Sequence, residues 1–241
     1  MKPTYFPHDF KPTLSKLIFV GLIVLGWAII IAHPVQLMIH HTPEMGWVPM
    51  DFAKALAMWG VMVLAMMVPT LLPLYKSGAD SLLAPNRTAG FILGYVLAWV
   101  GFCVAATALQ YGLRSNALLN MHDMSVSVWL SAGLLFAAGL YQLSSAKLVR
   151  LEACRLSLKR IKKAPVRGDQ IIGRGLVYGV DCIKCCWPMM LTMFVFGLMN
   201  LTAMAALTVI MVAEKTVPRT NLFTKITGGL FIAAGIFVFA I

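Results

Sequence analysis

Sulfur side chains are concentrated on one predicted helix in the C-terminal third of the chain. Three cysteines stand within five positions, and two methionines follow at helical spacing: Cys182, Cys185, Cys186, Met189 and Met193. Cys182 and Cys186 are at i and i+4, the two methionines continue that face at i+7 and i+11, and Cys185 lies about 100° to one side. Thiolate and thioether are soft ligands that select Cu(I) over hard cations. The spacing therefore predicts a Cu(I) site on this face.

Two ionisable residues stand beside these cysteines inside the apolar run, Asp181 and Lys184. Charges within a membrane span are costly and usually functional, and pairing relieves part of the cost. Lys184 is also expected to favour the thiolate form of a neighbouring cysteine. Pro188 cannot donate to the helix ladder, so the carbonyl of Lys184 is predicted to be free for another donor. Two alternatives remain open: the sulfur residues only fill gaps in the packing, or they bind zinc, although a second Cys or His pair is missing.

A second row of sulfur side chains is predicted on the second helix, which we call the methionine row: Met58, Met62 and Met66. A methionine stripe commonly packs in a core, which is one interpretation of this row. With a rise of about 1.5 Å per residue, however, Met62 falls at the membrane depth of Cys186, and Met66 falls at that of Cys182. If the two helices are neighbours, we expect Met62 and Met66 to contribute to the copper site.

Histidines gather in the two predicted outer loops. The candidate residues for collecting a metal ion at this surface are His40, His41, Met45 and His122. Imidazole and thioether could take up copper from the outer side, although ordinary interfacial polarity explains these residues as well. At the opposite surface, Glu214 and Lys215 close the sixth helix, where they are expected to form either a local ion pair or a gate for a cation.

The elements that must position these residues are membrane helices. The chain has 241 residues, of which 60% are hydrophobic and 12% are charged, about half the charged fraction of a soluble domain. Uncharged apolar runs of about 18 residues predict bilayer spans. We predict an all-α, polytopic transmembrane helix bundle of about seven spans, which forms a single domain over 1–241. The helices are expected at about 15–39, 52–75, 89–113, 125–145, 175–197, a sixth from a turn near Asn200 to about 213, and 222–241.

The distribution of positive charge predicts the orientation of the bundle. With the N-terminus inside and the C-terminus outside, seventeen Lys and Arg fall in inner segments and only Arg114 falls in an outer one, which is a strong positive-inside signal. Nine of the inner charges lie in 147–174, predicted as a basic cytoplasmic loop next to anionic lipid head groups. The net charge of +11 is thus placed beside spans, and nucleic acid is not expected as a partner. The first apolar run is too long for a signal peptide, so we expect it to be retained.

Two blocks of residues resemble a known family. The first holds Met58-Trp59, Val61-Met62, Ala65-Met66-Met67 and Pro69-Thr70, and the second holds Tyr178-Gly179, Cys182, Cys185-Cys186-Trp187, Gly197, Met199-Asn200-Leu201 and Glu214-Lys215. Together they resemble the bacterial membrane family known as domain of unknown function 2182, which is described as predicted metal-binding integral membrane proteins. The resemblance covers roughly 58–218 and implies a multi-pass protein of the bacterial inner membrane that binds a metal.

The chain departs from that family pattern at two positions. Lys184 stands where the family tends to have Gly, and Arg150 stands where the family tends to carry a second Cys ahead of Cys154. The second departure argues against a metal-binding cysteine pair in the predicted cytoplasmic loop. The cysteines of the predicted fifth span are retained.

The function favoured by these residues is that of a copper-handling membrane protein, which binds or moves Cu(I) through an intramembrane site lined by Cys and Met for delivery to a metalloenzyme. Expected partners are the lipid bilayer and other membrane subunits of a metalloenzyme or of its assembly machinery. The alternative is a non-catalytic accessory subunit of a larger membrane complex. A thiol oxidoreductase using Cys182 and Cys185 is less favoured, because such enzymes usually expose their thiols. No catalytic set is evident, and the absence of a GxxxxGK[ST] motif excludes a primary pump in one chain.

Overall fold

The computed structural model describes residues 14–32, 49–71, 85–119, 125–163, 170–198, 200–217 and 220–240. These residues are helical apart from turns and one isolated bridge between Leu119 and Val126. The helices are α1 (Leu14–Ala32), α2 (Pro49–Met67), α3 (Pro85–Ser115), α4 (Val128–Leu143), α5 (Ser145–Lys163), α6 (Ile171–Leu191), α7 (Met193–Phe196), α8 (Leu201–Thr216) and α9 (Thr220–Ala240).

Each of the seven predicted helices has a counterpart, in α1 to α4, α6, α8 and α9. The second helix ends earlier than predicted, at Met67, and a 3₁₀ turn over Pro69–Leu71 follows, because a proline removes a donor from the helix ladder. The fifth is interrupted at Thr192, beyond which α7 continues for one turn. The predicted end of the first helix falls within 33–48, which lies outside the described residues.

Four helical segments are long and apolar enough to cross a membrane: Asp51–Leu71, Ala89–Ser115, Ile171–Phe196 and Asn221–Ala240. Helices α4 and α5 pass the same test as a pair, but they are bent by 66° at the junction between them. α1 contains a shorter apolar helix, Val20–Ala32. The described chain is therefore an all-α protein with four to five candidate spans, whereas the seven-span prediction counts α1 and α8 as well.

The segment predicted as a basic loop over 147–174 is helical as far as Lys163. Its helix, α5, lies against α6. Lys147, Leu151 and Cys154 are all buried, and they stand at i, i+4 and i+7 on one helical face. The loop prediction was wrong here because the density of positive charge concealed this short helical repeat.

Helices α3 and α6 make the most extensive contact in the structure, and they run parallel. Phe91 faces Gly175, and Tyr95 faces Gly179 one turn further along both helices. A Cβ atom at Gly175 would collide with the carbonyl of Phe91. Close approach of backbones at small residues is typical of helix packing in membranes. This contact holds Cys182 of α6 beside Tyr95 of α3.

Helices α4 and α9 form the second extensive contact, and they run antiparallel. Leu135 lies against Gly235, and Gly139 lies against the carbonyl of Gly228. The rings of Trp129 and Phe239 meet edge to face, with centroids 5.0 Å apart. The order of these pairs fixes the opposite directions of the two helices, which agrees with the alternation expected of the predicted fourth and seventh spans.

Hydrogen bonds between helices lie in two groups. In one, Trp59 Nε1 donates to Gln110 Oε1 at 2.9 Å, and the Val126 amide donates to the Phe194 carbonyl at 2.8 Å. The other group joins the C-terminal ends of α2, α4 and α8 through the side chains described in the next section. The candidate site lies in the second group.

Candidate metal centre

Four thiols converge between α5 and α6, and we call them the thiol cluster: Cys154, Cys182, Cys185 and Cys186. All four are free and at most 1% exposed. The Sγ atoms of Cys185 and Cys186 are 3.3 Å apart, and the Cys154 and Cys182 thiols interact with each other and with that of Cys185. With metal–thiolate bonds of about 2.3 Å, two sulfurs on one ion lie at most about 4.6 Å apart. Adjacent thiols of the cluster are therefore close enough to share a small, soft ion.

The thiol of Cys182 is in contact with a cation. Lys215 Nζ, from the end of α8, lies 2.9 Å from Cys182 Sγ and 3.0 Å from Thr70 Oγ1. The hydroxyl of Tyr95 lies 3.3 Å from the same sulfur and donates to the carbonyl of Met67 at 3.2 Å. An adjacent ammonium favours the thiolate, which is the form that binds metal. Helices α3 and α8 thus each supply a polar group beside Cys182 of α6, and Thr70, in the turn after α2, binds the group from α8.

A second buried cation lies on the other side of the cluster. Lys147 Nζ is 2.8 Å from Glu214 Oε2 and donates to the carbonyl of Cys185 at 2.7 Å. The amide of Gln142 donates to Glu214 and, at 3.0 Å, to Thr227 Oγ1. Lys147 and Glu214 are at most 1% exposed, and a buried ion pair of this kind needs such additional hydrogen bonds to offset its desolvation.

The backbone of α6 is opened at Pro188, as the sequence predicted. The carbonyl of Lys184, which has no helical donor there, accepts a hydrogen bond from the hydroxyl of Tyr141 at 2.6 Å. The neighbouring carbonyl of Cys185 accepts from Lys147. Freed backbone groups at membrane depth are tolerated only where protein groups satisfy them. The break in α6 therefore ties the thiol cluster to α4 and α5.

The predicted sulfur ligands are all buried, but they differ in their surroundings. Cys182, Cys185, Cys186, Met189 and Met193 are at most 1% exposed, so the predicted face of α6 points inward and is continued by Met193 in α7. Met189 lies at the charged network formed by Lys147, Glu214 and Gln142, with its sulfur 3.7 Å from Gln142 Nε2.

Met62 and Met66 are fully buried in the same hydrophobic core, but α2 packs mainly on α1 and α3. The C-terminal end of α2 and the turn after it approach Cys182 only indirectly, because Met67 binds Tyr95 and Thr70 binds Lys215, and these two side chains contact the cysteine.

The two charged residues of α6 next to the cysteines differ in their exposure. Lys184 is exposed, and its carbonyl rather than its amine contacts the neighbouring helix. Asp181 is half-buried and has an interaction partner. The cation beside Cys182 is Lys215, and the anion beside Lys147 is Glu214, so the ion pair of Glu214 reaches across helices.

The proposed outer set of His40, His41, Met45 and His122 lies outside the described residues.

The donor set limits which metal the site can take. Within the described ranges, no three or more His, Cys, Asp or Glu side chains are arranged to hold one metal ion. Zinc sites normally take four such ligands. Cu(I) is satisfied by fewer, softer donors, and thioether sulfurs such as that of Met189 are among those it accepts. The residues present therefore fit Cu(I) better than zinc.

Comparison with protein families gives a match to a family described as PpoB2 copper chaperone, over residues 56–238. The chain belongs to the PpoB2 copper chaperone family. No match was found among curated proteins or among solved structures. The PpoB2 match spans the thiol cluster and both buried lysines, whereas His40, His41 and Met45 precede it. The match supports a copper-related family. It does not carry the name domain of unknown function 2182, the family that the sequence resembles.

The contributors to the site that were not predicted from sequence include Cys154, Lys147 and Tyr95. The signal for the first two was present in the i, i+4, i+7 spacing of Lys147, Leu151 and Cys154. Tyr95 carries no such signal, because a tyrosine in an apolar helix is ordinary. Its role depends on the close contact of α3 with α6, which the sequence does not specify.

Proposed function

We propose that this member of the PpoB2 copper chaperone family holds Cu(I) inside the bilayer and releases it to a metalloenzyme. Cys182 and Cys186 are the proposed ligands, with Cys185 beside them and Met189 as a third, weaker donor. The observation that carries the proposal is the contact of a buried thiol with a buried ammonium, Cys182 with Lys215. A thiolate can neutralise a metal ion at membrane depth, which methionine alone cannot do.

The remaining predicted sulfur residues are assigned to the path of the ion. Met193 continues the face of α6 towards the outer side, and Met62 and Met66 are buried in the same core. We propose that these thioethers hold copper transiently between the outer histidines, His40, His41 and His122, and the thiol cluster. Thioethers bind Cu(I) without adding charge, so an ion can leave them readily.

The proposed setting is the bacterial inner membrane, with seven spans, the N-terminus inside and the C-terminus outside. Several helices are long and apolar enough to span a membrane. The parallel contact of α3 with α6 and the antiparallel contact of α4 with α9 have the directions that this topology requires. The resemblance to domain of unknown function 2182, described as predicted metal-binding membrane proteins, also supports the proposal.

A double substitution of Cys182→Ser and Cys186→Ser tests the ligands. Serine keeps the approximate size but replaces soft sulfur by hard oxygen, so the variant is expected to fold and to lose at least about nine tenths of its copper after anaerobic loading. The matched control is Cys103→Ser, a buried cysteine of α3 that lines an apolar cavity of about 270 Å³ between α2 and α3. The control should keep the copper content of the wild type.

The accessory-subunit alternative makes the opposite prediction. In that case the sulfur residues only pack, and the methionine row, which is fully buried in the hydrophobic core, is consistent with such a role. Copper content that is equally low in the wild type and in the double variant, measured by elemental analysis of folded protein, would favour this alternative.

A further inference from the structure

Lys215 has an unusual environment for a lysine. The residue is only 6% exposed, and its amine lies 2.9 Å from Cys182 Sγ, 3.0 Å from Thr70 Oγ1 and 5.8 Å from the centre of the Tyr178 ring. The hydroxyl and the ring are neutral. A buried ammonium requires a compensating anion, and among these contacts only the cysteine can supply one.

Two other buried charges next to the thiol cluster, those of Lys147 and Glu214, pair with each other. Lys147 is paired with Glu214 at 2.8 Å, and Gln142 binds the second carboxylate oxygen. One cation and one anion therefore cancel next to the thiol cluster. The charge of Lys215 is left to be balanced by the thiolates and by any metal bound to them.

This balance distinguishes between metal ions. Two thiolates and one Cu(I) together carry a charge of −1, which Lys215 neutralises. Two thiolates and one divalent ion are already neutral, so Lys215 would remain as an uncompensated charge in the membrane. A third thiolate would restore the balance, but the described residues place no three such ligands around a common ion.

We propose that Lys215 is a specificity-determining residue, which limits the site to a monovalent ion bound by two thiolates. This inference rests on the proposed function, because it assumes that the thiol cluster binds metal. The charge balance then selects Cu(I) in addition to the softness of the sulfur ligands. Softness alone favours Cu(I) but does not exclude Zn(II), which thiolates also bind well.

Neutral substitutions of Lys215 test the proposal on the purified full-length protein. Lys215→Met has a similar length, and Lys215→Gln keeps a neutral hydrogen-bond donor. Both are expected to weaken Cu(I) binding by roughly 10- to 100-fold, as loss of a charge interaction at membrane depth implies. They should strengthen Zn(II) relative to Cu(I) by at least the same factor. Competition with chromophoric chelators of each ion, under anaerobic conditions, gives both affinities.

Two further variants serve as controls. Lys215→Arg keeps the positive charge and should keep the ratio of the two affinities. Lys184→Met removes a positive charge from α6 itself, but its amine is exposed, so both affinities should stay within about twofold of the wild type.

The ratio of the Cu(I) and Zn(II) affinities distinguishes a role of Lys215 in specificity from a structural role. A merely structural effect of Lys215 would lower both affinities together, and an unchanged ratio in both neutral variants would overturn the proposal. So would a change in Lys184→Met as large as that in Lys215→Met. A wild type that binds no Cu(I) would instead contradict the proposed function itself, so the two failures are distinguishable.

Discussion

The thiol cluster and the methionine row are both buried sulfur, yet their neighbours differ. In the thiol cluster, Lys215 contacts the thiol of Cys182, Lys147 binds the carbonyl of Cys185, and a tyrosine hydroxyl lies 3.3 Å from Cys182 Sγ, each from a helix other than α6. The methionine row belongs to the hydrophobic core, beside Trp59, whose ring packs 5.5 Å from that of Phe194. Sulfur in apolar surroundings is explained by packing. Packing does not explain sulfur beside a buried charge, because burying a charge is costly and buried charges in membrane helices are usually functional. The charged neighbours, rather than the sulfur atoms, mark the site.

The largest effect on stability is expected from the ion pair near the thiol cluster. Glu214→Gln leaves Lys147 buried without its anion, which should cost about 3–5 kcal/mol of unfolding free energy. The double variant Lys147→Met with Glu214→Gln removes both charges and should recover most of that loss. In the methionine row, Met62→Leu preserves volume and should cost less than about 1.5 kcal/mol.

Thermal unfolding of the four proteins in one detergent measures this contrast. A Glu214→Gln variant as stable as Met62→Leu would show that the charged network is not structurally important. It would remove the distinction between the two regions.

A smaller effect separates the two kinds of methionine. Met189 lies at the charged network and Met62 lies in the apolar core, so Met189→Leu should weaken Cu(I) binding about tenfold, or about 1.4 kcal/mol. Met62→Leu should change the equilibrium affinity less than about threefold, since a transient site affects transfer more than binding. Chelator competition on both variants decides the order. Equal losses would assign the methionine row to the binding site itself.

The sequence predicted the helices well because each is an apolar run, and such runs need no knowledge of their neighbours. Helical period also identified the buried face of Cys182, Cys186, Met189 and Met193 correctly. It did not identify the partners of that face. Lys215 reaches Cys182 across 33 residues of chain, and no local pattern connects them.

The misprediction of α5 has a different physical cause. Lys and Arg in a short segment beside a span usually mark a solvated loop, and this rule concealed Lys147 and Cys154. The helical spacing of Lys147, Leu151 and Cys154, which puts them on one face, is a signal against a loop. The partner that allows this lysine to be buried, Glu214, comes from α8, which is distant in sequence.

The central claim is that the thiol cluster binds copper as Cu(I) through sulfur alone. X-ray absorption at the copper edge of anaerobically loaded wild-type protein tests it most directly. We predict the edge of a monovalent ion and a first shell of two or three sulfur atoms at about 2.3 Å. A first shell of nitrogen or oxygen, as the outer histidines would give, would place copper elsewhere and contradict the account.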